Sequence, residues 1–181
     1  VKDSSPKPNI LFITSDQQRG DCYGFRGRNI QTPHLDILAS EGTSLETVIT
    51  PCVVCQPARA SILTGLLPRT HGVHDNGIDL DPELGKKGFA GSLSAAGYRT
   101  AKIGKAHFAT YHTFDYTGTV ESISGSRDVP ADWTGPYMGF DHAELMVLGH
   151  NWWLPEKPPG GLHYEHWYYS DGRGELKNKL L

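Results

Sequence analysis

Cysteine is scarce in this sequence, and so are long apolar runs and any surplus of one charge. The three cysteines among 181 residues are Cys22, Cys52 and Cys55. They are too few and too odd in number for a disulfide framework, and a four-thiolate zinc site within the chain is excluded. No apolar stretch approaches the ~20 residues that span a bilayer. Lys and Arg number 17 against 20 Asp and Glu, a formal net charge of −3. That balance supplies no basic patch, so nucleic acid is not an indicated partner. The opening, Val1-Lys2-Asp3-Ser4-Ser5-Pro6-Lys7-Pro8, has no apolar h-region and no initiating Met. A secretory signal is therefore expected to be absent or already removed, and the compartment is left open.

What is present is an ordinary globular composition, 38% hydrophobic and 20% charged. A chain of this length buries roughly 70% of its unfolded surface and holds a core without staples. Residues 9–14 are a short apolar run rich in β-branched and aromatic side chains, the pattern of a strand buried on both faces. Thr32-Pro33 opens a predicted helix that runs to Gly42. A strand is expected over 44–49 and a helix over 55–64 with Gly65 as its stop. A further helix over 89–96 ends at Gly97 and leads into a strand over 98–103. This alternation predicts an α/β fold, a mostly parallel or mixed sheet flanked by helices.

From about residue 108 to 181 the texture changes to Gly, Pro and aromatic residues. One strand is expected over 143–148, the rest as long loops, with the first turns of an amphipathic helix at the end of the sequence. Trp152, Trp153, Trp167, Tyr168 and Tyr169 suit either stacking on a sugar or cation, or anchoring of these loops.

Chemistry concentrates at Cys55-Gln56-Pro57-Ala58-Arg59. A nucleophile at a helix start sits where backbone N–H groups and the helix dipole stabilise an anionic group. Cys52-Val53-Val54-Cys55 also has the spacing of a redox pair, and a buried thiol without a role is a third reading. Asp16 and Gln17 follow the first expected strand, where open α/β sheets bind ligands, and their oxygens suit a hard cation. Adjacent strand residues point to opposite faces, so both ligate only if the chain curls there. In extended chain, Lys105 and His107 project to one side, where an ammonium and an imidazole meet one oxyanion.

Four blocks together resemble the type I sulfatases of the alkaline phosphatase superfamily. They are the opening 8–17, the Cys-x-Pro-x-Arg segment with Thr64-Gly65 behind it, Pro68 to Gly77, and Gly104-Lys105-Ala106-His107. Thr32-Pro33-His34-Leu35-Asp36 and Gly139-Phe140-Asp141-His142 add to the likeness. The resemblance covers about residues 8–107 and implies that 1–181 is the N-terminal portion of a catalytic domain whose remainder lies later in a longer polypeptide. It implies that Cys55 is oxidised to formylglycine by a formylglycine-generating enzyme. In the hydrated aldehyde one hydroxyl attacks sulfur and expels the alcohol, and deprotonation of the other then breaks the C–O bond, which releases sulfate and restores the aldehyde. Arg59 then holds the formylglycine hydroxyl, Asn76 and Lys105 contact substrate, and His107 binds the diol and acts as base. Asp16, Gln17 and the Cys55 product would ligate Ca²⁺, with Mn²⁺ or Zn²⁺ as alternatives. The implied substrate is a sulfate-ester small molecule or glycan. One departure stands out: the family's second acidic ligand is Gln17 here. It leans toward the neighbouring phosphonate monoester and phosphodiester hydrolases, whereas Lys105 and His107 lean away from them.

Overall fold

The computed structural model describes residues 6–110, 118–146 and 162–180. It holds two compact units, Val1–Val48 and Ile49–Leu181, so the division falls well before the change of composition near residue 108.

The first unit is organised around α1, Pro33–Glu41, which opens on Thr32 with Pro at its first position and closes with the Gly42 amide on the Leu38 carbonyl. A short 3₁₀ turn, Gly24–Arg26, is latched to it. The Gly24 N–H donates to Thr32 Oγ1 at 2.8 Å, and the Thr32 hydroxyl and Phe25 N–H both donate to Asp36 Oδ1. A Cβ on Gly24 would lie 2.6 Å from Asp36 Oδ2, so a side chain there would push the Asp36 carboxylate out of the latch. The strands expected over 9–14 and 44–49 do not form, and Ile10, Leu11, Phe12 and Ile13 are 60–84% exposed. A strand exists by pairing its N–H and C=O groups with another strand. An apolar run encodes the preference but does not supply the partner.

The second unit carries α2 (Cys55–Thr64), α3 (Pro68–His71), α4 (Pro82–Lys86), α5 (Phe89–Ala95), β1 (Ala101–Gly104), α6 (Ile123–Arg127), β2 (His142–Leu145), α7 (Leu162–Ser170) and α8 (Gly174–Leu180). β1 and β2 pair in parallel, Ala101 opposite His142 through Gly104 opposite Leu145. Helices with a small parallel sheet make this an α/β fold. The core gathers Leu63 of α2, Val73, Leu80, Phe108, Phe140 and Leu145. Asp141 sets the register at the start of β2. Its carboxylate accepts from the Thr100 N–H and hydroxyl and from Ser94 Oγ. Those hydrogen bonds, the Thr100 amide first, hold it below the usual carboxylate range.

β1 starts later than expected because Gly97, at φ 86°, closes α5 and the Tyr98 N–H is bonded to the Leu93 carbonyl. Residues 147 and 148 of the strand expected over 143–148, with Trp152 and Trp153, lie outside the described residues. The tail also holds more helix than its Gly/Pro content suggests, since α6 and α7 form where loops were expected. In α7, Leu162 and Glu165 are buried. Tyr164, Trp167 and Tyr168 contact one another's rings, and Trp167 meets the Arg173 guanidinium at 4.9 Å, so packing offsets the modest helix propensity of aromatic residues. Among the described residues no helix is long and apolar enough to cross a membrane.

Within α5, Gly91 is pressed against α4. A Cβ there would drive into the Lys86 carbonyl oxygen, with Gly139 Cα close behind. Gly91→Ala is expected to destabilise the full-length protein by roughly 1–3 kcal/mol, the usual range for overpacking. Urea unfolding reads this directly, and an unchanged midpoint would mean that α4 can slide away.

Candidate functional site

The candidate site in the second unit is built on the first turn of α2. Cys55 is its first residue and Val54, which has no capping side chain, precedes it. The first amides of a helix have no intrahelical acceptor, and two of the positions after Cys55 meet this in different ways before the first helical bond closes. Pro57 has no N–H at all. The Gln56 N–H donates to Asn76 Oδ1 at 3.0 Å, across 20 residues of sequence. The Ala58 N–H reaches the Val54 carbonyl. Asn76 thus caps α2 from outside, which commits its carbonyl oxygen and leaves its amide N–H groups as donors. Its own N–H is fixed on Asp75 Oδ1.

Helical spacing turns the four-residue interval between Cys55 and Arg59 into one turn, so the two lie on the same face. Arg59 Nη1 donates to the Lys105 carbonyl at 2.9 Å, which ties α2 to the segment after β1. Burial, followed by the neighbouring Arg59 charge, lowers the half-buried Lys102 ammonium from its ordinary value. Arg59 and Lys102 are thus close enough for their charges to interact, with the Glu121 carboxyl as the opposing charge. Lys102 carries no motif of its own in the sequence.

The extended geometry expected for Lys105 and His107 is not what the chain adopts. β1 ends at Gly104 with φ 90°, and His107 is left-handed at φ 55°, so the alternation rule for strands does not apply past Gly104. The turn is held by Glu121. Its fully buried carboxylate accepts from the N–H groups of His107 at 2.6 Å, Phe108 at 2.9 Å and Ala109 at 3.2 Å, and from the Tyr137 hydroxyl at 2.7 Å. Successive amides converging on one anion form a nest. Burial pushes the Glu121 carboxyl up from the ordinary glutamate range, and its four donors pull it back. Burial and the Glu121 charge raise Tyr137 well above its ordinary value, so it remains a donor. No motif or periodicity marks Glu121 in the sequence.

His71, near α2, is structural. His71 Nδ1 accepts from the Val73 N–H and its Nε2 lies 2.9 Å from Ser61 Oγ. Burial, and then His74, hold it below the usual histidine value, so it packs as a neutral ring. Cys52 and Cys55 are both free thiols, and the Val54 N–H approaches Cys52 Sγ at 3.5 Å.

Asp16 and Gln17 belong to the first unit. The chain bends at both, with Gln17 left-handed at φ 52°. The chain therefore does not run straight through this pair. Two oxygen donors match a hard divalent cation in kind, though Ca²⁺ takes six to eight. Among the described residues no group of three or more His, Cys, Asp or Glu is gathered as a metal site.

The Sulfatase family model matches residues 8–171. The chain is 43% identical over 104 residues to an arylsulfatase of Clostridium perfringens, covering 56% of this chain and 21% of that protein. It is 37% identical over 153 residues to an N-acetylglucosamine-6-O-sulfatase of Bacteroides thetaiotaomicron, covering 82% of this chain and 26% of that protein. In structure it is similar to the phosphonate monoester hydrolase of Agrobacterium radiobacter, with a TM-score of 0.64 and 27% identity over 93% of this chain and 30% of that one. The chain belongs to the sulfatase family and has the α/β architecture of the alkaline phosphatase superfamily. It spans between a fifth and a third of the length of these relatives.

Proposed function

We propose that residues 1–181 contribute the N-terminal portion of a sulfatase catalytic domain, and that the full-length protein is a sulfuric ester hydrolase acting on sulfate monoesters. The observation that carries this reading is the bond from Arg59 to the Lys105 carbonyl. It joins the Cys-x-Pro-x-Arg turn to the Gly-Lys-x-His segment, two stretches about 50 residues apart whose joint presence a redox pair or a buried thiol does not require. Formylglycine made from Cys55 would supply one hydroxyl as nucleophile and a second whose deprotonation releases sulfate. Arg59 orients that group from one turn along α2. Lys105 neutralises charge on a sulfate oxygen, the Asn76 amide donates to substrate, and His107 takes the proton. Asp16 and Gln17 would hold a divalent cation, Ca²⁺ before Mn²⁺ or Zn²⁺ because both donors are oxygen.

Full-length protein co-expressed with a formylglycine-generating enzyme is expected to have a higher kcat/KM for an aryl sulfate than for the matched aryl phosphonate. Lys105→Ala is expected to lower the sulfate value by about 2–4 kcal/mol, roughly 30- to 1000-fold, the scale of one charged contact to a transferring group. The second reading, a phosphonate monoester or phosphodiester hydrolase, draws on Gln17 and on the Agrobacterium neighbour. An enzyme that prefers the phosphonate, with Lys105→Ala leaving that preference intact, would put this second reading first.

A further inference from the structure

Gln56 occupies the variable position of Cys55-x-Pro57-x-Arg59, to which the motif assigns no chemistry. In the folded chain it is among the most constrained side chains of the candidate site. It is fully buried, yet every polar group of its side chain is used. Nε2 donates to the Ile78 carbonyl at 2.7 Å and to the Phe108 carbonyl at 3.3 Å, while Oε1 accepts from the Gly77 N–H at 2.9 Å. Its backbone N–H holds Asn76. A primary amide has two N–H donors and one carbonyl oxygen, and here all are engaged, each with backbone.

The addresses of those partners matter. Ile78 and Gly77 immediately follow Asn76, and Phe108 immediately follows His107. Gln56 itself immediately follows Cys55. One side chain therefore bridges the three segments that carry the candidate nucleophile, the candidate substrate amide and the candidate base. An apolar residue of the same length would fill the space but remove the bonds to the Gly77 N–H and the Ile78 carbonyl, while the Phe108 carbonyl would keep the Leu80 N–H at 2.8 Å.

We propose that Gln56 is a positioning residue, fixing the Cys55 end of α2 against the Asn76 loop and the turn after His107 so that the three groups meet one substrate. This rests on the sulfatase reading. A gain in misalignment of about 1 Å is enough to cost 10²-fold in rate, whereas binding of the substrate's remainder is untouched.

The test uses full-length protein co-expressed with a formylglycine-generating enzyme, comparing wild type with Gln56→Met and Gln56→Asn. Peptide mass across Cys55 gives conversion, thermal unfolding gives stability, and initial rates on an aryl sulfate per converted site give kcat and KM well below the melting temperature. Because the modification code skips this position, conversion is expected to match wild type. Expected values of kcat fall about 10- to 100-fold, less for Asn, which keeps the amide, than for Met, with KM within about threefold. A folded, converted Gln56→Met with wild-type kcat would overturn the proposal and leave Gln56 as packing alone. So would failure of both variants to fold at any temperature, since the residue would then serve the fold. If wild type carries the aldehyde but turns over no sulfate ester, the functional reading itself falls, an outcome seen in the control before any variant is considered.

Discussion

Cys55→Ala in the full-length protein is expected to abolish sulfate-ester turnover, a loss of about 10⁴-fold or more, because no other group in the turn can replace the nucleophile. Cys52→Ala is expected to retain most activity. Among the described residues Cys52 Sγ meets a backbone N–H within its own turn, whereas Cys55 begins the helix that Asn76 caps and Arg59 anchors. Hydrazide labelling and a mass loss in the Cys55 peptide should accompany activity in wild type and in Cys52→Ala, and be absent from Cys55→Ala. Equal damage from both substitutions in folded protein would return the redox-pair reading.

Removing Glu121 is expected to give the largest loss of stability of any single substitution near the site. Glu121→Ala would leave three consecutive amides and the Tyr137 hydroxyl without their acceptor in a region from which water is excluded. A cost of about 3–5 kcal/mol is expected, the range for breaking a buried, hydrogen-bonded charge. Glu121→Gln keeps the shape but turns an N–H toward donors, and about 2 kcal/mol is expected. The pH dependence has a definite sign. Because the folded carboxyl is raised, Glu121 contributes its full stability below the ordinary glutamate range, and part of it is lost as pH rises through the raised value. The difference in urea midpoint between wild type and Glu121→Gln should therefore change across mildly acidic pH. A flat difference would mean that the four donors fully offset burial.

Short local signals located several of the helices. α2 spans the residues expected, because Gly65 supplies a left-handed stop at φ 71°. α1 follows from Thr32, Pro33 and Gly42, and α5 from Gly97. Residues 9–14 and 44–49 failed as strands for the opposite reason, since pairing is decided by partners that a local window does not contain. The same limit hid the two polar residues that shape the candidate site. Glu121 bonds to amides 12 to 14 residues away and Gln56 to groups 20 to 52 residues away. Neither lies in a periodic pattern, and a lone Glu or Gln reads as solvated surface. Cys55, Arg59 and Lys105 were legible because their chemistry is carried in short motifs. Past Gly104 the expected geometry gave way to a turn that only the fold could specify.

The burial of α2's first turn also sets a clock. Gln56 and Pro57, the two residues after Cys55, are covered once the helix packs, so an enzyme that recognises this stretch by its side chains has access only while the chain is still open. For the oxidation proposed at Cys55, maturation and folding are then competitors in time. Fast folding would trap the thiol, and the yield of active protein would depend on how long nascent chains wait before α2 closes. Slowing synthesis or lowering temperature would raise the converted fraction without altering a single residue.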